Sequence, residues 1–278
     1  MQIGVTTFLT DRTIGPVDLA RAAEDRGFSS VWFPEHTHIP VSRRTPAPTG
    51  DADLPEEYGR CLDPLVALTA AAVSTERLVV GSGVSLVAQH HPIDYAKSWA
   101  TLDMVSGGRA RFGVGFGWNV EEMRDHGVEY STRRERAREH VLAMQALWSA
   151  DEASFAGSYV EFDSTYSWPK PLQQPRIPTL LGGAFGPKLL AHLVEWADGW
   201  MPIGGSGVRE ALPALREAWA VAGRAGEPQV IPFGTVPSEQ KLAYYQSIGC
   251  TEVVLRLPTA GRDDTLRVLD SYAVHLAS

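Results

Sequence analysis

Apolar positions along this chain alternate between two rhythms. Short unbroken runs occur near residues 3–8, 30–33, 78–80, 110–114, 179–181, 199–202, 229–235 and 252–257. Their length and continuity suit strands buried on both faces. Between them, apolar residues return every three or four positions, which makes one helix face. Val17, Ala20 and Ala23 form such a set, as do Ile93, Ala96, Ala100 and Met104, and Ala137, Val141, Met144 and Trp148. Later sets are Leu190, Val194 and Ala197, then Val208, Leu212, Leu215 and Trp219, and finally Leu266, Leu269 and Ala273. Eight strands and eight helices in alternation also fit a doubly wound sheet. Strands this short, in a chain of 278 residues, favour one α/β domain over 1–278, a (β/α)8 TIM barrel.

Boundary residues support the helices. Pro16, Pro64, Pro92 and Pro187 suit a first turn, where no N–H is needed. Asp63 is a good N-cap, and Gly27, Gly107 and Gly108 can take the left-handed conformation that ends a helix. Thr132 and Glu135 have capping-box spacing. Two stretches interrupt the alternation. A Pro-rich segment follows strand two to about residue 60. Another, about 151–177, precedes strand five, with a hairpin near 153–162 and an extended run at 169–178.

Composition narrows the function. The net charge of −8 disfavours nucleic acid and anionic membrane surfaces. No apolar run nears the roughly 20 residues of a membrane helix, and the first residues enter a strand directly. Cys61 and Cys250 are the two cysteines, too few for a disulfide framework and without zinc spacing. A cytoplasmic location with no metal is the expectation.

In such barrels the reactive groups gather at the carboxyl ends of the strands. Glu35 and His36 follow strand two, and His36 is the best candidate for proton chemistry near neutral pH. A hydrogen-bonded rim histidine is the alternative. Successive side chains at a strand end turn to opposite sides, so one of the pair faces the pocket. His38 is a secondary candidate. His90 and His91 point apart, and no metal ligation is expected of them. After strand three comes Gly81-Ser82-Gly83-Val84-Ser85, and after strand four Gly115-Phe116-Gly117-Trp118-Asn119. These glycines either make tight turns or expose main chain as a floor for a flat ligand. Gly182-Gly183-Ala184, ahead of a helix start at Pro187, is either plain turn or an anion site suited to phosphate. Trp118 is the tryptophan placed best to meet a ligand ring.

The chain resembles the luciferase-like monooxygenase superfamily over nearly its whole length. The carrying stretches are IGVTTF, FPEH, Asp63-Pro64, GSGVSL followed by HHP, ATLDMVSGGRARFGVGFGW, PKPLQQPRIPTLLGG and ADGWMP. The resemblance implies a flavin, or the deazaflavin coenzyme F-420, in the barrel mouth over strands three and four. The residues it would touch are Gly83, Val84, Ser85, Gly117 and Trp118, with its phosphate at Gly182, Gly183 and Ala184. It implies a non-prolyl cis peptide at Gly83–Val84, and catalytic roles for His36 as acid or base and Glu35 at the ring. Deazaflavin sugar-phosphate dehydrogenases carry a catalytic Glu where this chain has Trp118, which argues against that substrate. The expected activity is hydride transfer between F-420 and a small organic substrate, in a homodimer. The alternatives are an FMN-dependent two-component monooxygenase and a non-catalytic flavin-binding protein.

Overall fold

The computed structural model describes residues 1–48 and 53–276. Part of the Pro-rich stretch after strand two therefore lies outside the described residues. The first half of the chain alternates β1 (Gln2–Thr6), α1 (Pro16–Arg26), β2 (Ser30–Phe33), α2 (Pro64–Val73), β3 (Val79–Ser82), α3 (Pro92–Val105) and β4 (Ala110–Val114). Then come α4 (Val120–Asp125), α5 (Arg133–Ser149) and a hairpin of β5 (Glu152–Ala156) and β6 (Glu161–Tyr166). The second half runs β7 (Thr179–Gly182), α6 (Pro187–Trp196), β8 (Gly199–Met201), α7 (Val208–Val221), β9 (Gln229–Val230) and β10 (Phe233–Thr235). It ends with α8 (Glu239–Ser247), β11 (Glu252–Arg256) and α9 (Arg262–Ala273).

Nine strands form one parallel sheet in the order β10-β11-β1-β2-β3-β4-β7-β8-β9. Its two outermost members, β9 and β10, are successive pieces of chain on either side of Pro232. Ile231 N–H donates to Trp200 O on one side, and Val254 N–H donates to Pro232 O on the other, each at 2.9 Å. The sheet is thus curled in the manner of a TIM barrel. Proline removes one ladder donor, which explains why a single apolar run appears as two strands.

Alternation along each strand divides the core in two. Trp32, Leu180, Met201, Ile231, Phe233 and Val254 point inward and pack together. Val31, Leu181, Val253 and Leu255 point outward against the helices. Asp63 caps α2 by accepting from Val66 N–H at 2.9 Å. Gly27 ends α1 at φ 89°. Arg109 holds the α2 end to the start of β3, its guanidinium donating to the carbonyls of Ala72, Thr75 and Leu78.

Several expectations are corrected. The expected hairpin occurs, and with it the split strand and α4 raise the totals to eleven strand segments and nine α-helices among the described residues. Thr132 does not cap α5. Its hydroxyl donates to Glu129 O at 2.9 Å, and a 3-10 turn leads directly into the helix. Met104 is exposed, and Tyr95, Trp99 and Leu102 join the expected Ala96 and Ala100 on the buried face of α3.

Candidate active site

β2 stops at Phe33 because Pro34 follows, and the next two side chains diverge. Glu35 turns toward the exit of β3. One of its oxygens accepts from Leu86 N–H and the other pairs with His90 Nε2, both at 2.6 Å. The His90 ring lies flat on Tyr95, with centroids 3.9 Å apart. Burial works against charge on His90, but the bond to Glu35 and its negative charge outweigh it, so its pKa is raised. Glu35 therefore braces the segment after β3 from behind.

His36 turns the other way. Its Nδ1 lies 2.7 Å from Glu122 Oε2, and Thr37 N–H donates to the other Glu122 oxygen at 3.1 Å. Glu122 is fully buried on α4. Asn119 caps that short helix, accepting from Glu122 N–H at 3.3 Å. Trp118 Nε1–H is directed at His36 Nε2, 3.4 Å away. These contacts agree on one tautomer, with the proton on Nδ1 and a lone pair on Nε2. A carboxylate fixing the tautomer of an imidazole is the base-and-orienter arrangement of acid–base sites. The rings of Tyr58 and Trp118 stand 5.2 and 5.7 Å from His36. Nearby, Cys61 directs its thiol at the carbonyls of Pro34 and His36. Its pKa is pushed up to about 11, chiefly by burial, so it stays a thiol at neutral pH.

The residues singled out in the sequence lie at or just beyond the carboxyl ends of β2, β3, β4 and β7. The Gly83–Val84 peptide bond is cis. Gly83, Val84, Gly117, Trp118 and Gly183 are half-buried, and Ala184 is exposed. Two candidates do not reach the mouth. Ser85 is fully buried, with its hydroxyl 2.8 Å from Tyr95 Oη and its N–H donated to Gly113 O. Gly182 is also buried. His38 lies at the surface beside Asp125, 3.3 Å away.

The glycines have a purpose beyond turn or floor. A Cβ on Gly83 would come within 2.2 Å of Phe233, on Gly115 within 2.3 Å of Val84, and on Gly117 within 2.0 Å of Met123. Side chains from other elements occupy the space these residues vacate. Gly117 also has φ +74°, a region costly to other residues. The exits of β7 and β8 enclose a cavity of about 470 Å3 lined by Gly183, Ala184, Phe185, Ser206, Gly207 and Glu210, among others. Three glycines of its loop, Gly204, Gly205 and Gly207, have positive φ.

Glu122 was missed in the sequence. Asn119 followed three residues later by Glu is a helix-start signature and marks α4. The partnership with His36, 86 residues away, has no local signal.

No helix among the described residues is long and apolar enough to cross a membrane. Residues 15–241 match the family described as luciferase-like monooxygenase. An uncharacterized protein of Mycobacterium tuberculosis (strain ATCC 25618 / H37Rv) is 43% identical over 280 residues, covering 100% of this chain and 99% of its own. An F-420-dependent glucose-6-phosphate dehydrogenase of Kineococcus radiotolerans is 30% identical, covering 74% of this chain and 58% of its own. Among solved structures, the monooxygenase RslO1 from Streptomyces bottropensis superposes with a TM-score of 0.81 at 20% identity, over 100% of this chain and 99% of that one. An F-420-dependent secondary alcohol dehydrogenase superposes at 0.77 and 17% identity, over 98% and 97%. These structures share the fold. With the family match spanning residues 15–241, the chain belongs to the luciferase-like monooxygenase family.

Proposed function

We propose that the protein is an F-420-dependent oxidoreductase that moves a hydride between the deazaflavin and a small organic substrate. The observation that carries this reading is the His36–Glu122 pair at the strand ends, where Gly83, Val84 and Gly117 are half-buried. A flat heterocycle suits that surface, since the glycines keep main chain within its reach. The loop around Gly183, Ala184 and Gly207 is suited to the phosphate of the cofactor tail, although Glu210 shares the cavity. When bound, the deazaflavin supplies the two-electron chemistry. The rest falls to the chain's own side chains. His36 Nε2 takes the proton of a substrate hydroxyl or returns it to a carbonyl oxygen. Glu122 holds Nδ1 protonated and steadies the imidazolium that results. Tyr58 and Trp118 flank the imidazole and exclude water. Glu35 positions the segment from Gly83 to Leu86 and has no free oxygen for the substrate. We also read the curled sheet as a closed eight-unit barrel with the two inserted segments around its mouth.

Relatives carrying F-420 in their names, at up to 30% identity over two thirds or more of this chain, support the deazaflavin over FMN. By the resemblance, Trp118 takes the place of a catalytic Glu of the sugar-phosphate dehydrogenases, which argues against glucose 6-phosphate as the substrate. The test is titration of apo-protein with F-420, FMN and NADPH in separate experiments, followed by turnover assays on alcohols and carbonyl compounds. Binding of F-420 and loss of turnover in His36→Ala are expected. Binding of FMN alone would replace this reading with the monooxygenase.

A further inference from the structure

Arg256 closes β11 at the mouth of the barrel. Residues 252, 254 and 256 lie on one face of that strand. Glu252 bonds to Ser30 inside the barrel, and Val254 packs in the inner core with Trp32 and Phe233. The intervening Val253 and Leu255 face the helices. Arg256 therefore continues the inward row at its open end, and it is exposed. Its backbone is fixed by Tyr272, whose hydroxyl donates to Arg256 O at 3.1 Å.

Two neighbouring arginines are paired with carboxylates, while Arg43 lies over the Trp118 ring. Arg12 pairs with Glu56 at 2.9 Å, and Arg60 pairs with Asp11. No acceptor meets the Arg256 guanidinium among the described residues. Burial raises the phenol pKa of Tyr272 on α9 and of Tyr58 at the site, and the charge of Arg256 acts to lower both. Burial, then Glu57, push the Tyr58 phenol up, while Arg256 pulls it down. Tyr58 in turn stacks obliquely between Phe8, 4.8 Å away, and His36. The mouth thus has an aromatic wall with an imidazole at one end and, toward the other, a guanidinium that no described residue pairs. β11 and β2 each pair with β1, which puts their axes roughly 10 Å apart.

We infer that Arg256 binds an anionic head group and selects as substrate a short oxo or hydroxy acid with an apolar body. The inference rests on the oxidoreductase reading and names its substrate class. A guanidinium presents two parallel N–H donors that match a planar carboxylate. With the carboxylate there, the reacting carbon lies a few bonds away on the His36 side.

The test compares levulinate, a keto acid, with its methyl ester by calorimetric titration, on apo-protein and again with F-420 present. Wild type should bind the acid roughly tenfold or more tightly than the ester, the gain of one charge-assisted pair. Arg256→Gln should bind the two alike, and Arg256→Lys should keep part of the preference. Arg256 is exposed, so the variants should melt as wild type does. F-420 affinity, read by its own fluorescence, should be unchanged in Arg256→Gln. Equal binding of acid and ester by wild type, binding of neither, or a preference surviving Arg256→Gln would overturn the assignment. So would a loss of F-420 affinity in that variant. Failure of wild type to bind F-420 would sink the cofactor reading alone, because the acid–ester comparison on apo-protein still decides the role of Arg256.

Discussion

Glu122→Gln is nearly isosteric, yet it cannot satisfy both partners of the carboxylate. In the native protein one oxygen faces His36 Nδ1 at 2.7 Å and the other accepts from Thr37 N–H at 3.1 Å. An amide has one acceptor end and one donor end. If its oxygen stays with Thr37, its NH2 faces Nδ1 and drives the proton to Nε2, so the ring loses its lone pair toward Trp118. If the oxygen stays with His36, two donors confront each other at Thr37. Either way a hydrogen bond to a charged group in a fully buried place is lost, which costs about 1.5–3 kcal/mol. For a chain of this size, that lowers the melting temperature by roughly 3–12 °C. The catalytic loss should be larger in proportion, because general acid–base catalysis contributes roughly 10²–10⁴-fold. We expect kcat to fall by at least about 10²-fold with little change in KM, read from the deazaflavin absorbance. Nitrogen NMR of the ring should show the Nδ1–H form in wild type and its loss in the variant. A folded Glu122→Gln protein with kcat within about threefold of wild type, well inside the acid–base range, and with the native tautomer would refute the reasoning.

Three further outcomes follow from the same coordinates. His140 is buried with Nδ1 on Val87 O at 3.1 Å, and burial chiefly lowers its pKa from 6.5 to about 4. Its folded pKa is depressed, so the unfolded chain binds more protons between those values. Stability should therefore fall as the pH drops from 6.5 toward about 4, by up to about 2–3 kcal/mol, and His140→Gln should flatten that slope in denaturant titrations. Glu35→Gln should lower the His90 pKa below its ordinary value, because burial then acts without the carboxylate. In wild type the raised His90 pKa contributes stability at low pH that is lost as the pH rises through it. An unchanged His90 titration by NMR would contradict this. Gly117→Ala adds a Cβ 2.0 Å from Met123 Cε at φ +74° and should cost about 1–3 kcal/mol, seen as an earlier thermal transition.

Much of the layout was legible because strands buried on both faces and helices with one apolar face leave different rhythms. The unit around residues 78–118 was readable in outline, with Pro92 opening its helix and Gly107 and Gly108 closing it. What failed was local wording with a non-local answer. Thr132 and Glu135 have the right spacing, but Glu129 O takes the hydroxyl first. α4 spans six residues, too few for periodicity to mark Glu122. Ser85 looked like a rim hydroxyl until Tyr95 claimed it. At the exit glycines, nothing in their own segment tells that Phe233, Val84 and Met123 arrive from elsewhere to fill the space a Cβ would take. His36 was recognisable as chemistry, but its orienting carboxylate was not.

Val84 has a consequence beyond the mouth it borders. One methyl fills the gap at Gly115 and the other lies 3.0 Å from where a Cβ on Gly182 would sit, so a single isopropyl group wedges between two strand ends. Positions 84, 115 and 182 are in effect one heritable unit. Alanine at 115 should be tolerated only alongside a smaller residue at 84, and the double change should recover most of what the single change loses.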